Sequence, residues 1–412
     1  MAGLRIAVVS DEGTEGGASI ATTRLCIALR QAGHRVARIH HGRFRPHPDS
    51  ADEFHPLELK EFSARALDNL PRNEVCRAEL QRRWCRRFRR VLEEFRPHVV
   101  NLHNLHNARW DIEVVEECLR HAPVVWTLHD MWALTGSCAY AFECRRFERR
   151  CSSACPQVGT YPTLPAGMVA AAHARRRRLW SAHGGRLRFV APSKWLAREA
   201  RRATRLVPVR VIPYGLDLET FRPRNRAEAR RWLGLPEDGR PVLMAGAAAL
   251  GDRRKGMSDL LAAVGHLPEP LPRLVLIGHA GGLERPEGLE IRCVGPVTGE
   301  RFLALALNAA DLFVLPSHAD NLPLVVQEAL ACGVPVVGYP TGGIPEMVRP
   351  GQTGWLAAEH SPAALAESLR QALEARAEWP GYAAGCRRVA ESEYGAARQA
   401  ARYGRLFRSG CA

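Results

Sequence analysis

Two carboxylates, Asp320 and Glu328, stand eight positions apart in residues 316–335, PSHADNLPLVVQEALACGVP. Short apolar runs flank this stretch, Leu312–Leu315 and Val334–Val337, and both read as buried strands. Between them Pro323–Ala331 has a helical pattern, with Asn321 as N-cap, a proline in the first turn and Gly333 just past the end. Strand, helix and parallel strand make a βαβ unit, whose ligand end lies where strands stop and helices begin. Backbone N–H groups from Asn321 and Leu322 onward can hold a phosphate or sugar oxygen there, helped by the helix dipole. A carboxylate on the inward side of the helix accepts two hydroxyl hydrogens at once, which suits a ribose diol. A solvated aspartate and an ordinary helix glutamate fit the same spacing.

Other groups with chemistry fall at comparable places. Arg253-Arg254-Lys255-Gly256 follows the apolar run Pro241–Ala245 and precedes a helix starting near Met257. Adjacent guanidinium and ammonium groups at such a turn can neutralise a diphosphate and stabilise it as a leaving group, although a basic surface turn looks the same. Gly13, Gly16 and Gly17 lie between the strand Arg5–Ser10 and a helix over 19–31, where backbone can approach an anion closely. Their spacing is not the G-x-G-x-x-G dinucleotide fingerprint. His103, His106 and His129-Asp130 sit at the ends of the strands Val99–Leu102 and Val124–Leu128. Imidazoles gathered at one sheet edge can hydrogen-bond sugar hydroxyls or a phosphate. Cys138, Cys144, Cys151 and Cys155 crowd one short loop of little apolar content. They could hold a structural zinc ion, or stay reduced, or form two disulfides; their gaps are not those of a C-x2-C ribbon.

The elements that must position these groups follow from length and composition. At 412 residues the chain is too long for one core, and two domains are expected. Apolar and charged fractions of 46 % and 25 % are ordinary for a globular protein. No apolar run reaches the about 18 residues of a membrane span, and the N-terminus enters a strand directly, so a cytoplasmic protein is expected. Strands alternate with helices from end to end, and three helical stretches, 361–376, 381–393 and 395–408, close the chain. The formal charge is +15, almost all from arginine, since only Lys60, Lys194 and Lys255 are lysine. Such an excess suits an anionic partner. The Arg-rich helix 81–92, with Trp84, Phe88, Val91 and Leu92 at helical spacing, and the segment His173–Trp180 could each lie on anionic lipid or pack inward. No nucleic-acid module accompanies the charge, and no nucleic-acid partner is expected.

The words around the two carboxylates resemble the retaining glycosyltransferases of family 4, which have the GT-B fold. The resemblance rests on Pro316-Ser317, Asn321-Leu322-Pro323, Glu328-Ala329, Ala331–Val337, Gly342–Glu346 and Gly351–Gly354. It implies two Rossmann-like, doubly wound α/β domains facing across a cleft, with the C-terminal helix crossing back. The expected domains are 1–213 on the acceptor side, with a Cys-rich insert at 138–156, then 214–393 for the nucleotide-sugar, with 394–412 as the returning helix. Family positions map onto Gly16 and Gly17 near the phosphates and acceptor, and onto His129 beside the reacting sugar. They also map onto Arg254 and Lys255 as the diphosphate clamp, with Arg253 beside them, and onto Glu328 at the nucleotide ribose. Three departures stand out: Asp320 where the family usually has Glu, Tyr214 where it has Asn, and Ala247 where it often has Arg.

The expected activity is therefore transfer of a hexosyl or N-acetylhexosaminyl group, with retention, from a nucleotide-diphosphate sugar to a hydroxyl. The acceptor would be a saccharide, a lipid-linked saccharide or a small metabolite, in cell-surface polysaccharide or glycoconjugate synthesis. No catalytic metal is expected; a structural zinc at the four cysteines and peripheral contact with an anionic inner membrane face stay open. A nucleotide-sugar 2-epimerase shares the fold, and a basic membrane- or nucleic-acid-binding protein is the reading from a different class.

Overall fold

Short apolar runs, bounded by glycine, proline or a capping residue, become the strands of two parallel sheets. The computed structural model describes residues 3–11, 16–40, 54–56, 74–107, 110–281, 289–297 and 299–410; Gly13 lies outside them. The chain divides into two units, Met1–Pro213 together with Gln399–Ala412, and Tyr214–Arg398.

In the first unit the strands are β1 (Arg5–Ser10), β2 (Arg35–His40), β3 (Phe54–Pro56), β4 (Val99–Leu102), β5 (Val124–Thr127), β6 (Leu187–Ala191) and β7 (Val209–Val211). They lie in the order β3-β2-β1-β4-β5-β6-β7, parallel throughout. The second unit has β8 (Val242–Ala249), β9 (Arg273–His279), β10 (Ile291–Gly295), β11 (Leu312–Leu315), β12 (Val336–Gly338) and β13 (Gly354–Leu356). Their order is β10-β9-β8-β11-β12-β13, again parallel. Both are Rossmann-like sheets. Each reverses direction of winding beside its first strand, between β1 and β4 and between β8 and β11, and ligands of such sheets bind at the carboxyl ends of these strands.

Central strands such as β4, β5, β11 and β12 are buried along their whole length, because helices cover both faces. Several helices begin on the side-chain caps their sequences offer: Asp111 accepts from Ile112 N, Ser193 from Leu196 N and Ser361 from Ala364 N. The Arg-rich stretch becomes the helix Glu74–Phe95. It buries Trp84, Phe88 and Leu92 inward, the two aromatic rings meeting Trp110 edge-on at 5.5 and 5.0 Å. Each such pair adds about 0.5–1.5 kcal/mol beyond area burial, and the stripe that could have met lipid is used in the core.

Four consecutive arginines in the helix Ala166–His183 part company in the same way. Arg175 pairs with Asp111 at 3.0 Å, and Arg176 is buried with its guanidinium 4.1 Å over the Trp132 ring. Arg177 donates to the Arg149 carbonyl at 2.7 Å, and Arg178 is exposed. Half of that basic run is internal structure. Among the described residues no helix is long and apolar enough to cross a membrane.

Candidate functional site

The second sheet gathers the charged residues at its winding reversal. After β8 a 3-10 turn, Arg253–Lys255, is capped by Asp252, whose carboxylate accepts from Arg254 N at 2.9 Å. Gly256 then takes a left-handed conformation, φ 65°, and a Cβ there would stand 1.9 Å from the Pro316 carbonyl oxygen. Only glycine permits this approach, and through it the loop after β8 lies directly against the loop after β11. The backbone closes the contact, His318 N donating to Arg254 O at 2.8 Å.

Side chains then bridge the two loops. Arg254 Nη1 donates to Ala319 O at 2.9 Å and Nη2 to Asp252 Oδ2 at 3.2 Å. Lys255 Nζ donates to Asp320 Oδ2 at 2.7 Å, while Asp320 Oδ1 accepts from Asn321 N at 3.0 Å. The Lys255 and Asp320 side chains keep 21 % and 12 % exposure, so the pair is accessible from solvent. Arg253 is exposed beside them.

The helix that follows differs from expectation at its start. It runs Leu324–Ala331 with Pro323 as its N-cap, not Asn321. Pro323 holds an extended backbone, φ −62° and ψ 124°, and a residue before proline is itself driven out of the helical region, so Asn321 and Leu322 stay in the loop. Both are buried, and Asn321 O accepts from Gly343 N at 2.8 Å, tying in the Gly342-Gly343 word. Glu328 lies in the second turn, 3 % exposed.

One group of residues around this edge gave no signal in the sequence. His318 Nε2 meets Asp259 Oδ2 at 3.3 Å, and Tyr339 donates its hydroxyl to the same oxygen at 2.8 Å. Asp259 opens the helix after Gly256, so these contacts fasten both ends of the Arg254-Lys255 turn.

The reversal of the first sheet gathers imidazoles. His103 follows β4 and is locked by its N–H to Val9 O at 2.8 Å. Its Nδ1 lies 2.8 Å from His129 Nε2 and 2.9 Å from Thr22 Oγ1, and its Nε2 lies 3.0 Å from Asn101 Oδ1. Burial pulls the His103 pKa well below its usual value, with His129 and Arg38 adding to the effect. Burial likewise lowers His129 to about 4, against the opposing pull of Asp130. His106 goes the other way. Burial disfavours its charge, but Asp130 at 3.1 Å and Asp11 at 3.9 Å outweigh that and raise its pKa. Gly16 starts the helix Gly17–Gln31 at φ 83°, ψ 155°, a conformation open to glycine, and a Cβ on Gly17 would meet nothing within 4 Å. Asp11, Asn101 and Thr22 carry no recognisable local motif.

The four cysteines, for which the sequence leaves zinc, free thiols and disulfides all open, are free thiols in the structure. Among the described residues no group of three or more His, Cys, Asp or Glu side chains is placed to hold a metal ion. All four are free thiols; Cys138 and Cys151 sit in the core and Cys144 and Cys155 half-buried against it. Burial pushes the Cys138 thiol up to about 12 and the Cys151 thiol up to about 11. The loop has another source of order: Leu134 and Phe147 are buried, and Arg176 donates to Gly136 O at 3.2 Å.

Known proteins resemble this chain in sequence and fold. Residues 15–220 match the profile described as Glycosyltransferase Family 4, and residues 240–375 that described as Glycosyl transferases group 1. A D-inositol 3-phosphate glycosyltransferase of Nocardioides sp. is 38 % identical over 191 residues, 40 % of this chain and 41 % of that protein. One from Streptomyces scabiei is 39 % identical over 181 residues, 39 % of this chain and 40 % of that protein. The matches thus span about two fifths of these relatives' length. Among solved structures, sucrose-phosphate synthase from Thermosynechococcus elongatus superposes with a TM-score of 0.73 at 20 % identity, covering 98 % of each chain. Anabaena HepE in complex with UDP and glucose gives 0.69 at 16 % identity, covering 98 % of this chain and all of the other. These neighbours share the GT-B fold.

Proposed function

The chain belongs to glycosyltransferase family 4, and from that premise we propose that it transfers a hexosyl or N-acetylhexosaminyl group, with retention, from a nucleotide-diphosphate sugar to a hydroxyl acceptor. The observation that carries the reading is the Lys255–Asp320 pair, with Arg254 beside it, at the winding reversal of the second sheet. Lys255 and Asp320 satisfy each other's charge. A diphosphate arriving there competes for Lys255 and Arg254, and its departure as a leaving group is stabilised by the same cations. Asp320, released from the lysine, is then an acceptor for sugar hydroxyls, one methylene shorter than the family's usual glutamate. Glu328 accepts the two ribose hydroxyls, and the loop amides at Asn321 and Leu322 approach the sugar phosphate. Within the first unit, His129 and the Gly16-Gly17 turn are the candidate groups for a sugar hydroxyl and for the acceptor.

Support comes from the family profiles, from the glycosyltransferase names of the partial relatives and from the UDP held by the HepE structure. Synthesis of a cell-surface polysaccharide or glycoconjugate fits this chemistry. Arg254 and Lys255 supply the positive charge at the diphosphate, so transfer is expected to persist in EDTA. The test is a thermal-shift screen of the full chain with UDP, GDP, ADP and dTDP, followed by turnover of the matching nucleotide-sugar. One nucleotide should raise the melting temperature in proportion to the logarithm of its concentration. Loss of that shift in Lys255→Ala supports the site; stabilisation by none of the four, or an unchanged shift in the variant, refutes it.

A further inference from the structure

Beneath His129 runs a chain of buried polar groups whose hydrogen-bond direction can be followed link by link. The anchor is a backbone carbonyl. Asn101 Nδ2 lies 2.9 Å from Val125 O, and because a carbonyl only accepts, this end of the amide is the NH2. The same nitrogen donates to Thr127 Oγ1 at 3.0 Å, and Thr127 in turn meets the hydroxyl of Tyr403, from the C-terminal helix, at 2.8 Å. Asn101 Oδ1 therefore faces His103 Nε2 at 3.0 Å. An amide oxygen only accepts, so His103 carries its proton on Nε2.

His103 is 2 % exposed and neutral, which leaves a lone pair on Nδ1. Two groups reach that lone pair, Thr22 Oγ1 at 2.9 Å and His129 Nε2 at 2.8 Å. The hydroxyl hydrogen of Thr22 is shared between that lone pair and Ala18 O at 2.7 Å, and a bare lone pair on His129 Nε2 at 2.8 Å would only repel the one on His103. The proton between the two imidazoles must then belong to His129.

We propose that Asn101 and His103 are positioning residues that fix His129 as the Nε2–H tautomer, so that its Nδ1 is a hydrogen-bond acceptor. The Val125 carbonyl keeps the Asn101 amide from flipping, and Thr127 and Tyr403 close the far end of the chain. For the reaction, this rests on the reading of His129 as the group beside the transferred sugar. An acceptor nitrogen there takes a hydroxyl hydrogen from the sugar and gives nothing to a phosphoryl oxygen. A general acid at this position is excluded by the same polarity. His129 then senses whether a hydroxyl is present.

The test is 15N-histidine NMR on the full chain at neutral pH, with His103 and His129 resonances assigned through His103→Gln and His129→Gln. Both rings should show a protonated Nε2 and an unprotonated Nδ1. A protonated Nδ1 on either ring, or an imidazolium at His129, overturns the proposal without any substitution being needed. In turnover, His103→Leu strands the His129 donor and should lower kcat about tenfold or more with donor KM little changed. His103→Gln, which keeps an acceptor oxygen, should recover most of that loss. An unchanged kcat in His103→Leu overturns the positioning role. The spectrum requires no turnover, so the Nε2–H signature in a chain that transfers no sugar would count against the enzymatic reading alone.

Discussion

At the edge of the first sheet, His103 and His129 meet at 2.8 Å and burial keeps both neutral; at the edge of the second, Lys255 and Asp320 meet at 2.7 Å as full charges. The two edges have equivalent positions, since β1 and β8 each lie at the point where their sheet reverses its winding. Fold alone does not explain the difference. A neutral chain in a dry interior has a fixed direction, each group being donor or acceptor but not both, and reads the polarity of what it meets. An ion pair is strong but weakly directional, and a competing anion can take over its cation. One edge is suited to discriminate hydroxyls and the other to exchange charge.

The contrast breaks most easily at the charged end. Replacing Arg254 and Lys255 together by alanine should lower kcat/KM about a thousandfold or more, with the circular dichroism spectrum unchanged, because the cations proposed to face the diphosphate vanish together. A loss of less than tenfold would remove the charged edge from the chemistry. Glu328→Gln is a smaller cut. A neutral amide accepts less strongly than a carboxylate, and donor KM should rise about tenfold with kcat nearly kept. If kcat falls and KM does not, Glu328 acts on the reacting centre and not on a remote ribose.

The neutral end shows itself in stability. His129 titrates at about 4 in the folded chain, and His103 also lies well below its usual value. In the unfolded chain both take up protons near pH 6.5. Between pH 6.5 and about 4 the unfolded state therefore binds the extra proton of His129, and stability falls on acidification by about 1.4 kcal/mol per pH unit, while His103 acts in the same direction. His106 has the opposite sign: its raised pKa favours the folded state at lower pH, and that contribution disappears as pH rises through the folded value. Urea melts at pH 5 and pH 7 read the net slope. His129→Gln should flatten it in the acid range, and an unaltered slope would contradict a neutral buried imidazole.

Much of the fold could be read along the chain. Arg5–Ser10, Val99–Leu102 and Leu312–Leu315 are strands with the ends the apolar runs predict, because a strand buried on both faces needs only a short unbroken run. The Arg253–Gly256 turn and the Asp320 loop could be named as site candidates because their residue types are local and their strand ends were clear. Less legible was the start of the helix at Leu324. A good capping residue, Asn321, lost to the geometry of Pro323 two positions later.

Sequence by itself determined the alternation of strand and helix and the stretches offering candidate chemistry, and the family resemblance of those stretches pointed to the doubly wound class. The alternation and the candidate stretches depend on neighbours within a few positions. Tertiary structure alone decided who meets whom. Lys255 and Asp320 are 65 positions apart, His103 and His129 are 26 apart, and Thr127 and Tyr403 are 276 apart. It also decided that Arg176 is buried while Arg178 is exposed, and that four cysteines in one loop are free thiols packed in or against the core. Charge, tautomer and burial depend on what surrounds a group in space, and for these residues most of that surrounding comes from distant chain.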